Sequence, residues 1–319
     1  MTNLKTLVSE YEKQRRARER YQMAVALIAG VCVLGGLTLA AFRMQEPKET
    51  PPVAKAPTPS AFDTVELSAK AAIVLDLTTG EVLYAKNAEA QLPLASLTKL
   101  LTLYAASQTL SENTVITMSA DALAADGDTG FTQGERFTFR ELARMAITAS
   151  SNDAAAAIAE AAADAGHASN GTALLANVAS ALGLTQTYAL NGTGLDENGT
   201  ISGAYGSARD IAVLAGELLK RAPGIARASI DPTITANSLA GRSYTLTNTN
   251  PGVDHIPGLL LSKTGYTDLA GGNLAIVFDA GIEHPVAIVV LGSTRDERFV
   301  DVNELVAATT AEFAGLTLP

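Results

Sequence analysis

The spacing of hydrophobic positions changes twice in the first third of the chain. Residues 23–42 form a run of 20 residues without a charged side chain, after a basic and polar segment over residues 1–20. Short apolar runs then predict strands over residues 71–77 and 81–85, with a turn at residues 78–80 between them. The pattern predicts a hydrophobic helix near the N-terminus and a β-hairpin at the start of the folded part.

The middle of the chain is rich in alanine and leucine at helical spacing, and the last third returns to apolar strands. Helices are predicted near residues 138–150, 152–164, 172–184, 207–221 and 302–313, and strands over residues 259–264, 273–279 and 285–292. Strands at both ends that enclose a block of helices predict an α+β fold and argue against alternating βαβ units.

The charge-free run has the length of a membrane span. Twenty apolar residues match a hydrocarbon core of about 30 Å. Four arginines lie shortly before the run, whereas only Arg43 follows it closely, so the N-terminus is expected in the cytoplasm. A cleaved signal peptide is the alternative, with an imperfect cleavage site at residues 38–40, but its apolar region is normally shorter. An uncleaved anchor is the preferred interpretation.

These patterns divide the chain into four parts. Residues 1–20 are predicted to be a basic cytoplasmic tail, residues 21–43 a transmembrane helix, residues 44–64 a proline-rich linker, and residues 65–319 one folded domain outside the cytoplasm. The linker is expected to be extended, because proline-rich segments adopt the polyproline II conformation. It would hold the folded domain away from the membrane surface.

Charge is distributed unevenly along the chain. The net charge is −10, yet residues 1–60 alone carry +4, so the remainder carries −14. An acidic folded part argues against nucleic acid as a partner. The single cysteine, Cys32, excludes an internal disulfide, and the three histidines do not have the spacing of metal ligands. Neither a metal ion nor a cofactor is therefore expected.

A serine and a lysine three residues apart open one predicted helix. Ser96 and Lys99 lie in the run PLASLTKL over residues 93–100, and the apolar positions that follow predict a helix with a buried face. Positions i and i+3 share one face of a helix, so the hydroxyl and the amine can touch. A hydroxyl nucleophile needs a neighbouring base and donors for the oxyanion that it creates. Taken alone, the pair also fits a helix N-terminus followed by a solvated lysine.

Two more short motifs follow this pair. Ser150 and Asn152 form an S-x-N motif where one predicted helix ends and the next begins. Lys263, Thr264 and Gly265 form a K-T-G motif on an apolar strand. Each motif alone is weak, but the ordered set S-x-x-K, S-x-N and K-T-G in these contexts is specific.

The three motifs together resemble those of penicillin-binding proteins. The similarity is greatest to the low-molecular-mass D-alanyl-D-alanine carboxypeptidase family and covers about residues 65–313. The resemblance implies a β-lactamase/transpeptidase-like fold, in which strands from both ends of the domain form one antiparallel sheet packed with a helical subdomain.

The resemblance implies four catalytic residues for serine acyl transfer. Ser96 would attack the carbonyl between two terminal D-alanines, and Lys99 would take its proton. A neutral Lys99 requires a pKa several units below the usual value of about 10.4, through burial or a nearby cation such as Lys263. Ser150 would pass a proton to the leaving amine, and Asn152 would hold Lys99 and the substrate amide.

The resemblance also implies four substrate-binding residues on the third motif. Lys263 and Thr264 would receive the terminal carboxylate of the substrate, and Gly265 would allow its backbone to approach the strand. The backbone N–H of Tyr266 would bind the oxyanion together with that of Ser96. Some relatives carry histidine in place of Tyr266, so only the backbone role of this position is transferred.

The implied enzyme is a membrane-anchored serine carboxypeptidase that removes D-alanine from peptidoglycan stem peptides ending in D-Ala-D-Ala. β-Lactam antibiotics would be its covalent inhibitors. It would lie in the cell membrane with one span and an extracytoplasmic catalytic domain. Many relatives carry a further β-rich domain and a C-terminal amphipathic anchor. Neither is expected in a chain that ends at Pro319, so the N-terminal span would serve as the anchor.

Three alternatives remain open at the level of the sequence. A D,D-endopeptidase would use the same chemistry on cross-links. A β-lactamase would need a base for rapid deacylation, and the nearest candidates are Asp196 and Glu197 in a loop rich in glycine and asparagine. A non-catalytic penicillin sensor or wall-binding module has no reason to keep both a nucleophile and a base.

Overall fold

The computed structural model describes residues 4–43 and 60–315, and the side chains within residues 8–39 and 60–315. The two parts belong to separate compact units. Most of the predicted proline-rich linker lies outside the described residues.

The described residues of the first unit form one helix, α1, from Leu4 to Arg43. Its stretch Val8–Leu39 is long and apolar enough to cross a membrane, and its side chains are exposed. The predicted hydrophobic helix is therefore present. It continues without a break through the basic segment, for which the hydrophobic pattern predicts no element.

The second unit contains seven helices and twelve strands among its described residues. The helices are α2 (Thr98–Thr109), α3 (Phe139–Thr148), α4 (Asn152–Ala165), α5 (Gly171–Ala181), α6 (Ala208–Arg221), α7 (Pro223–Ala228) and α8 (Glu297–Phe313). The strands are β1 (Ala71–Asp76), β2 (Val82–Lys86), β3 (Leu92–Pro93), β4 (Val115–Thr117), β5 (Arg136–Thr138), β6 (Tyr188–Ala189), β7 (Ala204–Gly206), β8 (Thr233–Asn237), β9 (Ser243–Thr247), β10 (Leu259–Thr267), β11 (Gly271–Asp279) and β12 (Pro285–Ser293).

Five strands form a central antiparallel sheet in the order β10-β11-β12-β1-β2. The first strand of the domain therefore pairs with the last. Both faces of the sheet are buried, because alternate residues enter two different hydrophobic cores: Ile288 faces one core and its neighbour Val289 the other. Burial on both faces explains why these strands read as continuous apolar runs.

Helices cover the two faces of the sheet. The larger core joins the sheet to α2, α3, α4 and α6, and the smaller core joins it to α8. The predicted α+β fold with an antiparallel sheet from both ends of the domain is confirmed. The smaller core also includes Ala61 and Phe62, which precede the predicted domain start, and Glu312 of α8 accepts a hydrogen bond from the Ala61 N–H at 2.8 Å.

Candidate active site

Ser96 lies in the 3₁₀ turn Ala95–Leu97, which leads directly into α2. The α-helix itself begins at Thr98, so Ser96, which was predicted to open the helix, lies just before it. The first residue of the turn has a φ angle of +47°, which a residue with a Cβ rarely adopts. Asn273 of β11 donates through Nδ2 to the carbonyl oxygens of Pro93 and Leu94, each at 3.0 Å. The nucleophile turn is therefore held directly against the central sheet.

The Lys99 amine has three hydrogen-bond neighbours. Its Nζ lies 2.7 Å from Ser96 Oγ, 2.7 Å from Asn152 Oδ1 and 2.8 Å from the carbonyl oxygen of Thr193. The amide and carbonyl oxygens can only accept hydrogen bonds. A neutral amine would donate its two hydrogens to them and present its lone pair to Ser96. This arrangement is what a general base for Ser96 requires.

Burial also changes the proton affinity of Lys99 in the direction that a general base requires. The side chain has no exposed surface, and burial lowers its pKa from 10.5 to about 7. Desolvation disfavours the ammonium form, because a buried charge loses its hydration. The pKa is thus lowered by burial, the first of the two causes that the sequence suggests.

Lys263 of β10 brings a second buried amine to the site. Its Nζ donates to Ser150 Oγ and to the carbonyl oxygen of Thr264, both at 2.8 Å. Burial lowers the pKa of Lys263 well below its usual value, and the nearby charges of Lys99 and Arg298 lower it further. Ser150 itself has a φ angle of +60°, between the end of α3 and the start of α4.

Gly265 of β10 lies against the nucleophile turn. A Cβ at this position would lie 2.9 Å from the carbonyl oxygen of Leu94 and 3.2 Å from the backbone nitrogen of Ser96. A side chain would therefore push the strand away from Ser96. The following residue, Tyr266, has a largely exposed ring that packs against the guanidinium of Arg295 at 5.2 Å.

These residues surround a cleft of about 350 Å³. Its lining consists of Ser96, Ser150, Thr249, Thr264, Gly265, Tyr266, Arg295 and Arg298. Lys99 contacts the cleft through Ser96, Asn152 lies behind Lys99, and Lys263 contacts the cleft through Ser150. The structure thus brings all eight predicted site residues together.

Asp196 and Glu197 have other partners. Asp196 Oδ1 accepts a hydrogen bond from Thr267 Oγ1 at 3.0 Å, and Glu197 Oε1 accepts one from Asn191 Nδ2 at 2.6 Å. Neither residue belongs to the lining of the cleft. Both carboxylates stabilise the loop that carries the Thr193 carbonyl.

The chain matches the sequence profile of the family described as D-alanyl-D-alanine carboxypeptidase over residues 54–295. The chain belongs to this family. Among curated relatives, the D-alanyl-D-alanine carboxypeptidase DacF of Bacillus subtilis is 32% identical over 261 residues, or 77% of this chain and 65% of that protein. The DacD carboxypeptidase of Salmonella typhimurium is 31% identical over 276 residues, or 82% of this chain and 66% of that protein. The chain thus spans slightly less than two thirds of the length of these relatives.

The structure is also similar to solved structures of a penicillin-binding protein. Penicillin-binding protein D2 from Listeria monocytogenes, in its ampicillin-bound form, is 28% identical and has a TM-score of 0.66. The alignment covers 76% of this chain and 98% of that protein. A second structure of D2 is its cefotaxime-bound form.

Arg298 lines the cleft from α8 and is not among the residues predicted from the sequence. The side chain is 7% exposed, Nη1 donates to the carbonyl oxygen of Gly265 at 2.7 Å, and the buried Nε has no hydrogen-bond partner among the described residues. A signal exists in the sequence, because Arg298 occupies the same helical stripe as the buried Val302 and Leu305. An arginine on the apolar stripe of a family member is a candidate for binding an anion.

Thr249 is a second cleft residue that was not predicted, because no sequence pattern distinguishes it. It follows β9 in an irregular segment, and its Oγ1 lies 2.6 Å from Thr264 Oγ1. Its backbone N–H donates to the carbonyl oxygen of Thr148 at the end of α3. Thr249 thus connects the K-T-G strand to the helix that precedes Ser150.

Proposed function

We propose that this protein is a serine D,D-carboxypeptidase that removes the terminal D-alanine from peptidoglycan stem peptides ending in D-Ala-D-Ala. The observation that carries the proposal is the buried Lys99 amine, 2.7 Å from Ser96 Oγ, beside a cleft that a buried arginine lines. Membership of the family and the names of the relatives DacF and DacD support it.

In the acylation step, Ser96 Oγ attacks the carbonyl carbon of the penultimate D-alanine while Lys99 takes the hydroxyl proton. The Ser96 N–H and the backbone N–H of Tyr266 are the proposed donors to the oxyanion. Gly265 supports this role, since its lack of a side chain brings the strand close to the Ser96 nitrogen. Asn152 keeps the Lys99 amine beside Ser96.

In the collapse of the tetrahedral intermediate, the bond from carbon to the nitrogen of the terminal D-alanine breaks and that nitrogen takes a proton. Ser150 is the proposed donor, because its hydroxyl lines the cleft, and Lys263, which donates a hydrogen bond to it, replaces the proton that Ser150 gives away. The remaining acyl group forms an ester with Ser96. Water then hydrolyses the ester and restores the Ser96 hydroxyl.

The terminal carboxylate of the substrate is proposed to bind where Thr264, Lys263 and Arg298 meet. The Arg298 Nε is buried and unpaired among the described residues, and an unpaired buried donor is costly unless a ligand satisfies it. A carboxylate is the planar anion that a guanidinium binds best. β-Lactam antibiotics carry the same carboxylate beside a strained amide. Ampicillin and cefotaxime bound to the Listeria relative support them as covalent inhibitors of Ser96.

We further propose that α1 anchors the catalytic domain, residues 65–319, to the cell membrane. Residues 21–43 would span the bilayer once, with the basic residues 1–20 in the cytoplasm and residues 44–64 as the linker. The apolar stretch Val8–Leu39 and the excess of positive charge before residue 23 support this topology.

The test is to incubate the full chain in detergent with the pentapeptide L-Ala-D-Glu-L-Lys-D-Ala-D-Ala and to measure free D-alanine. Release by the wild-type protein and its loss in Ser96→Ala would support the proposal. Absence of release from the wild type would refute it. A parallel incubation with a cross-linked muropeptide shows by mass spectrometry whether the enzyme cleaves cross-links instead. A penicillin that stays bound to Ser96 for minutes argues against a β-lactamase.

A further inference from the structure

A loop beside the site reaches the catalytic amine through Asn152. We name residues 126–130 the strap, because they cross over the start of α4. The carbonyl oxygen of Asp126 accepts a hydrogen bond from Asn152 Nδ2 at 2.5 Å. The N–H of Thr129 donates to Asp153 Oδ2 at 2.9 Å, and Thr129 Oγ1 lies 2.7 Å from Ser151 Oγ. The strap thus contacts three consecutive residues at the start of the helix.

The contact with Asp126 determines which end of the Asn152 amide faces Lys99. A carbonyl oxygen can only accept, so the NH₂ end of Asn152 must point to the strap and Oδ1 must point to the Lys99 amine. If the amide were reversed, its two hydrogens would point at the hydrogens that Lys99 needs to donate. The strap therefore acts on the orientation of the general base through one intermediate side chain.

A buried carboxylate secures the strap. Asp153 is 1% exposed, Oδ2 accepts from the strap, and Oδ1 has no hydrogen-bond partner within the described residues. Burial raises the pKa of Asp153. Burying a carboxyl group with one unpaired oxygen is unfavourable, so the hydrogen bond that its other oxygen accepts contributes to keeping it in place. This hydrogen bond comes from the Thr129 N–H.

Two glycines of the strap differ in what a side chain would meet. Gly127 has a φ angle of +94°, and a Cβ there would lie 3.1 Å from Asn152 Nδ2. Gly130 has a similar φ angle of +86°, but a Cβ there would have no neighbour within 4 Å. An alanine would strain the backbone to a similar extent at either position. Only an alanine at position 127 would also press against the side chain of Asn152.

We propose that the strap is a positioning element that keeps the Asn152 amide in the orientation that supports Lys99, and that Gly127, Thr129 and Asp153 are its positioning residues. The inference rests on the proposed function, because it concerns the general base of that reaction. It adds a positioning contact that lies outside the three motifs, since a substitution that moves the strap would alter the reactivity of Ser96.

The experiment compares Gly127→Ala with Gly130→Ala by the rate of Ser96 acylation with a fluorescent penicillin. Gly127→Ala should slow acylation roughly tenfold to a hundredfold, because a misplaced general base is costly. It should also shift the acid limb of the pH profile to lower pH, because the ammonium loses the amide oxygen that stabilises it. Gly130→Ala should keep the wild-type profile. Equal effects of the two substitutions would overturn the proposal.

The background Asn152→Ala tests the route of the effect. If the strap acts through Asn152, Gly127→Ala should cause no further slowing in that background. If Gly127→Ala slows acylation equally in the wild-type and the Asn152→Ala backgrounds, the proposal is contradicted. Should Gly127→Ala fail to fold, Asp153→Ala decides, because it removes the acceptor of the Thr129 N–H. Slower acylation with the shifted acid limb supports the strap, and a wild-type profile overturns it.

Failure of the proposed carboxypeptidase activity would give a different result from failure of the strap proposal. A wild-type protein that is acylated by penicillin but releases no D-alanine contradicts the carboxypeptidase alone, since the strap is tested through acylation. The pKa of Lys99, followed by NMR through its labelled Cε, needs no turnover at all. It should fall in Gly127→Ala and stay unchanged in Gly130→Ala.

Discussion

At the scale of single residues, two buried amines determine the chemistry of the site. Lys99 and Lys263 are 0% and 1% exposed, and burial lowers the pKa of both. Each has a serine hydroxyl as a neighbour, Ser96 and Ser150 respectively. Both serines line one cleft, which is consistent with the proposed roles: one pair removes the proton of the nucleophile and the other delivers a proton to the leaving group.

The pKa of Lys99 predicts how acylation depends on pH. Only the neutral amine has a lone pair, so the rate of acylation by penicillin should rise with pH through about 7 and level off above it. The measurement is the second-order rate constant from about pH 5 to about pH 9, with circular dichroism at each pH as the control for folding. A rate that does not change between about pH 6 and about pH 8 would contradict the assignment of Lys99 as the base.

Local spacing made part of the site predictable. Ser96 and Lys99 are three residues apart at a helix start, and that spacing alone brings their side chains together. Arg298 and Thr249 could not be assigned in this way, because each reaches the cleft only after distant elements pack. The positive φ angle of Ala95 was also unpredictable, since alanine has no preference for that region and the surrounding fold imposes it.

At the scale of elements, α8 delivers an arginine to the cleft from behind the sheet. Asp301 of this helix accepts hydrogen bonds from the N–H groups of Ser68 and Ala69 and from Ser293 Oγ. These contacts fix the helix to the entry of β1 and the end of β12. Arg298 lies about one turn earlier, so its position follows from the docking of the whole helix.

Arg298→Gln is predicted to weaken recognition of the terminal carboxylate. Hydrogen bonds to charged groups contribute about 1.5–3 kcal/mol, so kcat/KM for the pentapeptide should fall roughly ten- to a hundredfold. The same peptide with a C-terminal amide is the matched control, because it lacks the charge that Arg298 would bind. The substitution should hardly change kcat/KM for that amide. An equal loss with both peptides would instead indicate a structural role for Arg298.

Hydrophobic periodicity predicted the large elements well, and the small ones poorly. The strands of the central sheet form long apolar runs, and their positions agree with the prediction within a few residues. The hairpins β4–β5 and β8–β9 were not predicted, because short strands that are partly exposed carry little periodic signal. The strap was also not predicted, because it has no regular secondary structure and therefore no periodic pattern of apolar residues.

At the scale of the whole molecule, the chain combines a long hydrophobic helix with a folded domain as separate compact units. The domain contains the complete cleft, and none of the residues that line it comes from α1. The proposed anchor should therefore decide where the enzyme is found without altering its chemistry.

Deletion of residues 1–43 is predicted to move the protein from the membrane fraction to the soluble fraction. The full chain should sediment with membranes and require detergent for release, because a span of this length is stable in a bilayer. Acylation of Ser96 by penicillin should be the same in both forms, which serves as the control. A full chain recovered in the soluble fraction with a new N-terminus near residues 38–40 would show that the helix is a cleaved signal peptide.

The pairing of β1 with β12 has a consequence for the timing of folding during synthesis. A chain that emerges N-terminus first exposes β1 more than 200 residues before its partner strand arrives. Until then only the edge of β1 that pairs with β2 has its final neighbour. Labelling by penicillin should consequently begin only after β12 and Arg298 have been synthesised, which makes the antibiotic a reporter of completed folding.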